Sequence, residues 1–313
     1  MAELRAATPD QAEFLDDLVA AGLLIPSGVP GLYGRDATFE DLRLGLEAYI
    51  ARSAPGGAER LRFPPILPRR HLETVGYLKS FPHLAGTIFS FEGGDAEALE
   101  QEERANRHED WSEHQHMTDL VLMPAACYPV YPAVAARGAL PEGGITVDAG
   151  GAYVFRHEPS GDPARLQMFH QREMVRLGEP EAVASWRDDW RDRALSLLRG
   201  LGLDASFDVA SDPFFGRTGR MLAASQREQA LKFEIQVQIA GPEPTAIASF
   251  NYHQEHFSSA FGITTSDGAV AHTACLGFGE ERVVLALLRT HGLDVGAWPD
   301  EVARHLSVQS AVA

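Results

Sequence analysis

Residues 232–239 alternate without a break. Phe233, Ile235, Val237 and Ile239 lie on one side, and Lys232, Glu234, Gln236 and Gln238 on the other. A period of two is the signature of a strand buried on one face. The opposite row of polar groups either meets solvent or lines a site. One-sided burial belongs to antiparallel sheets covered by helices on the apolar side, and helical periods are present on both flanks. Residues 36–50 place Phe39, Leu42, Leu46, Tyr49 and Ile50 in one stripe, with Asp36 as N-cap. Residues 181–199 line up Val183, Trp186, Trp190, Ala194 and Leu198 between Pro180 and Gly200. A last helix runs from near Glu280 to Gly292, with Val284, Leu285 and Leu288 inward. Residues 1–25 read as a short helical arm, and 96–119 as a polar, helical stretch. Three prolines hold Arg60–Pro68 extended. Together these predict an α+β fold with an antiparallel sheet flanked by helices.

Charge and cysteine content exclude several functions. With 27 Lys+Arg against 44 Asp+Glu, the net charge of −17 argues against electrostatic coating of DNA or RNA. Two cysteines cannot form a disulfide framework, which predicts an intracellular, cytoplasmic protein. No apolar run approaches the ~20 residues of a membrane span, so no membrane partner is expected. Met1–Asp10 shows no signal-peptide pattern. Lys79 and Lys232 are the only lysines, which leaves two candidates for lysine-based covalent catalysis.

Two strands within 152–177 flank the loop Pro159–Arg165. By parity Val154, Arg156 and Glu158 share a face, as do Gln167, Phe169, Gln171 and Glu173. If the faces coincide, one wall offers a guanidinium, two carboxylates and an aromatic ring. Such a wall suits a nucleotide: the guanidinium for phosphate oxygens, the ring for a base, a carboxylate for an amino group. The alternative is a surface hairpin laced with salt bridges.

Phe155-Arg-His-Glu158, a loop and then Arg165-x-x-x-Phe169 resemble motif 2 of class II aminoacyl-tRNA synthetases. Gly277-Phe-Gly-Glu-Glu-Arg282, opening an apolar helix, resembles their motif 3. The helix at 36–50 with extended chain to Pro68 resembles motif 1, the dimer-interface element. Pro124-Ala-Ala-Cys-Tyr-Pro129, Phe169-His-Gln-Arg-Glu173 and Ala274-Cys-Leu-Gly277 narrow the resemblance to the zinc-dependent seryl-tRNA synthetases of methanogens. Closer still are their truncated relatives, the amino acid:[carrier protein] ligases. The resemblance implies an arm at 1–35, a catalytic domain at 36–300 and a tail at 301–313. It also implies a homodimer and ATP with Mg2+ as substrate. By this match Arg156 binds the α-phosphate and Glu158 reads the adenine amino group. Phe169 and Arg282 sandwich the base, and Arg165 reaches the outer phosphates. Arg156 and Arg282 are the catalytic pair. Lys232 and Ser249 complete the nucleotide-site candidates. The Mg2+ position is unassigned, because Thr245–Ser249 holds no acid; Glu234 is a substitute.

The same resemblance implies one Zn2+ per subunit on Cys127, Glu173 and Cys275. Spacing alone does not point to a metal, and isolated cysteines are also found as inert buried thiols. Two thiolates and a carboxylate leave a fourth position open, the form of a zinc site that binds substrate; the α-amine of an amino acid suits it. Ala125-Ala126-Cys127 stands where many ordinary relatives carry a Thr-x-Glu whose carboxylate helps hold that amine. His108, His114 and His116 offer a competing metal site or a solvated polar face.

The acceptor is the remaining question. Only about 35 residues precede motif 1, and a tRNA grip requires basic surface. The resemblance therefore implies activation of a small amino acid, glycine or alanine, as an aminoacyl-adenylate. Transfer follows to the phosphopantetheine thiol of a carrier protein, with no tRNA. Arg217, Arg220 and Arg227, or the arginines of the 181–199 helix, are candidate docking patches for an acidic carrier, or plain solvated faces. The competing readings are a minimal seryl-type tRNA-aminoacylating enzyme and a non-catalytic regulator. Retention of Arg156, Glu158, Phe169 and Arg282 weakens the second of these.

Overall fold

The computed structural model describes residues 6–307. Its centre is an eight-stranded sheet. Seven strands run in the spatial order Ser206–Val209, Lys232–Val237, Thr245–Gln254, His272–Gly279, Met168–Gly178, Ile145–Asp148 and Glu59–Arg60. All these neighbours are antiparallel except the last pair. Met168–Gly178 is long enough to hold two partners on one edge. Ala152–Phe155 pairs with residues 168–171, and Ile145–Asp148 with residues 174–177.

The sheet separates two apolar cores. Phe233, Ile235, Phe250, Leu276 and Phe278 face the core shared with Ala37–Ser53, Pro180–Gly200 and Glu280–His291. Asp36 caps the first of these helices by accepting from the Phe39 amide at 2.8 Å. Val147, Val154, Val175 and Cys275 face the other core, with Tyr131 and Phe257 above them. The alternation at 232–239 therefore resolves as read: apolar side chains under the helices, and Lys232 and Glu234 on the far face. That face is a cavity floor there, since both side chains line a cleft.

The ends and one insertion differ from the sequence reading. The arm carries a helix only over Pro9–Ala20, started by a Thr8–Gln11 capping box; Leu24–Pro26 then pairs with Tyr33–Arg35. Residues 1–5 of that arm lie outside the described residues. At the other end, Asp300–Leu306 is a helix that buries Val302, Ala303 and Leu306. It approaches Ala37–Ser53 so closely that a Cβ at Gly45 would collide with the Leu306 carbonyl. Residues 308–313 of the expected tail lie outside the described residues.

The polar stretch 96–119 is α-helical over Asp95–Asn106, with one further 3-10 turn at Ser112–His114. His108 turns the chain with φ of 59°, and Gln115–Leu122 is the middle strand of a separate three-stranded sheet with Ile66–Pro68 and Thr87–Phe91. Half-exposed on a small sheet, this strand carries polar residues that mask its period. No helix among the described residues is long and apolar enough to cross a membrane.

Candidate functional site

The cavity has a volume of about 910 Å3 and opens on the polar face of the large sheet. Strand register maps its floor. Lys232, Asn251 and Cys275 are successive partners across three strands. Glu234, Ser249, Gly277 and Glu173 form the next row across four. Antiparallel partners project to the same side, so these two rows are one surface. Gly277 keeps it open: a Cβ there would lie 2.8 Å from the Gln171 amide nitrogen and 3.2 Å from Glu173.

The hairpin faces coincide as expected. Val154 is opposite Phe169 and Ala152 opposite Gln171, so Arg156, Glu158, Phe169, Gln171 and Glu173 all line the cavity. The Arg156 guanidinium lies 5.5 Å from the Phe169 ring centre, and its Nε donates to the Pro124 carbonyl at 3.2 Å. Arg165 donates to Glu158 at 3.1 Å. Arg282 enters from the start of Glu280–His291 and is anchored on two carbonyls, Ala164 at 2.7 Å and Ala246 at 3.0 Å. Burial, and then the positive charges of Arg165 and Arg156, push its pKa down to about 10, so it stays charged at neutral pH. Three guanidinium groups thus converge on the wall that the hairpin builds.

Lys232 and Ser249 also line this cavity. Lys232 is buried and held at 2.7 Å by Asp212 and at 2.9 Å by Glu234. The two carboxylates outweigh burial and hold its pKa above the ordinary lysine value. Ser249 sits between Glu234 and Gly277 in the second row. Glu234, the substitute Mg2+ ligand, is the same carboxylate that pairs with Lys232.

Cys127, Glu173 and Cys275 meet at the deep end. Their ligand atoms lie within 4.8 Å of one another, and all three residues are buried. Cys127 arrives on the loop after Gln115–Leu122, and its amide donates to a Glu173 oxygen. Cys275 Sγ lies 3.6 Å from the other Glu173 oxygen. The donor set fits zinc: two sulfurs and one oxygen, with one position left over. The hydrogen bond with Cys275 and burial push the Cys127 thiol well above its ordinary pKa, and burial raises that of Glu173. The hydrogen bond with Cys127 pulls Cys275 down, but burial and Glu173 outweigh it and leave its pKa raised. Deprotonated together, the three would bury a charge of −3, which a divalent cation offsets.

The histidine alternative is not assembled. Among the described residues the Cys–Glu–Cys set is the one group of three or more such side chains close enough to share an ion. His114 lies by Glu100 at 3.5 Å, and His116 is exposed on its strand. His157 and His170 point away from the nucleotide wall, as parity requires.

Four residues of the site were not singled out from sequence. Asn251 Nδ2 lies 3.7 Å from Cys275 Sγ, and His253 Nε2 lies 3.5 Å from the same sulfur. Burial pushes the His253 pKa down to about 3, so it is neutral. The alternation Asn251-x-His253 could have flagged both as facing one side. Asp212, in a loop, and Tyr128, beside Cys127, have no periodic signal.

The basic candidates separate. Arg187 is buried and packs on Phe233 and Tyr252, and Arg191 packs on Phe207 and Phe233. That helix spends its central arginines on packing. Arg217, Arg220 and Arg227 are exposed on Gly216–Glu228, whose Leu222, Ser225 and Gln226 line the cavity.

No protein-family model matches the chain. It is 45% identical over 306 residues to an amino acid–[acyl-carrier-protein] ligase of Bradyrhizobium diazoefficiens, covering 97% of this chain and 93% of the relative. A type-2 serine–tRNA ligase of Methanopyrus kandleri is 27% identical over 198 residues, covering 59% of this chain and 37% of the relative. The solved M. kandleri seryl-tRNA synthetase, in complex with an A. aeolicus tRNA, superposes with a TM-score of 0.81 at 21% identity. That superposition covers 98% of this chain and 62% of the other. The Pyrococcus horikoshii seryl-tRNA synthetase, complexed with ATP, gives 0.68 at 17% identity over 95% of this chain and 63% of the other. The fold is that of the class II synthetase catalytic domain.

Proposed function

The chain belongs to the amino acid–[acyl-carrier-protein] ligases, and from that membership we propose that it activates glycine or alanine with ATP and passes the aminoacyl group to a carrier-protein thiol. One observation carries the reading. A single cavity holds the nucleotide set, Arg156, Glu158, Phe169 and Arg282, and the set suited to an amine-binding metal, Cys127, Glu173 and Cys275.

In the first step a substrate carboxylate oxygen bonds to the α-phosphorus of ATP while the bond to pyrophosphate breaks. Arg156 steadies the charge on the α-phosphate, and Arg165 holds the departing phosphates once it turns from Glu158. Phe169 and Arg282 fix the base. Cys127, Glu173 and Cys275 would hold a zinc ion, which when bound would supply a coordination position for the substrate amine. Lys232, with Asp212 and Glu234, fills the floor beyond Asn251. A buried ion cluster is a poor neighbour for a long apolar side chain, which supports a small substrate.

In the second step the carrier thiol bonds to the carbonyl carbon and the bond to AMP breaks. The thiol proton leaves to solvent, and a thioester and AMP result. Positioning and charge stabilisation carry both steps without a covalent enzyme intermediate. The carrier docks on Gly216–Glu228 beside the cavity mouth. By the same resemblance the working unit is a homodimer. A cytoplasmic location keeps both cysteines reduced for the metal.

The test is the acceptor. Adenylate-charged enzyme mixed with phosphopantetheinylated carrier should form aminoacyl-carrier and leave tRNA uncharged. Charging of tRNA but not carrier overturns the proposal.

A further inference from the structure

Glu281 is fully buried, and its carboxylate does not enter the cavity. It turns back onto the strand that carries Phe169. Both of its oxygens accept from the His170 amide, at 2.9 and 2.8 Å, and His170 Nδ1 lies 2.8 Å from Oε1. Arg35 closes the cluster: one guanidinium nitrogen contacts Glu281 and the other donates to the Tyr153 hydroxyl at 2.8 Å. The Tyr153 ring packs on His170 at 3.8 Å.

The topology explains why a carboxylate is needed here. The ladder between His272–Gly279 and Met168–Gly178 ends at Gly279 opposite Gln171. The next amide, that of His170, has no strand partner on that side, and Glu281 supplies the acceptor from the first turn of the following helix. The chain neighbours of this contact are Phe169 on one side and Arg282 on the other. Among the described residues, the hydrogen bonds of the Arg282 guanidinium itself go to its two carbonyl anchors.

We propose that Glu281 is a positioning residue for the nucleotide: it ties the helix start bearing Arg282 to the strand bearing Phe169, and so sets the gap that receives the base. The inference rests on the nucleotide assignment proposed above. A carboxylate one methylene shorter keeps the charge beside Arg35 but cannot span to the His170 amide. An amide of full length keeps the reach and loses the charge.

ATP–pyrophosphate exchange on the full chain separates reach from charge. Glu281→Asp is expected to raise KM for ATP about tenfold, with KM for pyrophosphate and for the amino acid within about twofold of the parent. Glu281→Gln is expected to keep KM for ATP within about threefold. A purely structural role instead lowers apparent kcat in step with the folded fraction, which a thermal melt reads on the same samples, and leaves every KM near that of the parent. Such a loss with an unchanged ATP KM in Glu281→Asp, or a rise of all three KM values together, overturns the proposal. Phe169→Ala distinguishes the two levels. If it leaves KM for ATP unchanged, the nucleotide assignment falls and takes the clamp with it. If it raises that KM while Glu281→Asp does not, the clamp alone is wrong.

Discussion

Cys275 Sγ lies 3.6 Å from a carboxylate oxygen of Glu173 on the neighbouring strand, and both residues are buried. Burial opposes two bare anions at that distance. The proposed metal would resolve the conflict, so Cys127→Ala is expected to drop zinc from about one per chain to near zero. Exchange activity should fall at least about a hundredfold, since amine binding goes with the metal. Metal analysis of purified protein checks this, and unchanged zinc content refutes the ligand assignment.

Lys232 is tied to Asp212 and Glu234 in the cavity floor. Lys232→Met leaves two carboxylates without their cation and should cost about 3 kcal/mol or more of stability. Adding Asp212→Asn should cost less in that background than in the parent, because the charge it removes is already unpaired. Denaturant midpoints of the four proteins measure this, and strict additivity contradicts the pairing.

Glu280 is buried beside Arg43 at 2.6 Å, with its other oxygen unpartnered. Burial pushes its pKa up to about 8 against an ordinary value of 4.5, even though Arg43 pulls the other way. The folded chain thus holds a proton that the unfolded chain has lost. The stability this gives is complete below about pH 4.5 and declines as pH rises to about 8, by roughly 1.4 kcal/mol per pH unit. Glu280→Gln should flatten stability across that window. An identical pH dependence in parent and variant would mean that Glu280 is ionised in the folded protein.

The carrier dock is tested by charge reversal on Gly216–Glu228. Arg217→Glu with Arg220→Glu should raise KM for holo-carrier about tenfold and leave exchange within twofold. Reversal that weakens exchange and transfer alike, or neither, argues for another surface.

Much of this site was readable before the fold was known, for a physical reason. Strand parity put Arg156, Glu158 and Phe169 on one face, and all three line the cavity. The polar row at Lys232 and Glu234 was visible too, but alternation does not tell a solvated face from a cavity floor. Contacts made from loops and helix starts to distant strands carried no such signal. Asp212 reaches Lys232 across 20 positions, and Glu281 reaches His170 across 111. The Cys–Glu–Cys set, spread over 149 positions, was legible only through the family resemblance, and folding brings it within 4.8 Å. The Gln115–Leu122 strand was hidden by its polar, half-exposed composition.

The central claim is that one cavity activates a small amino acid on ATP. Pyrophosphate exchange by the zinc-loaded chain, measured across all twenty amino acids, tests it most directly. The account predicts strong exchange with glycine or alanine, and little with any long side chain. Exchange with no amino acid at all would contradict it.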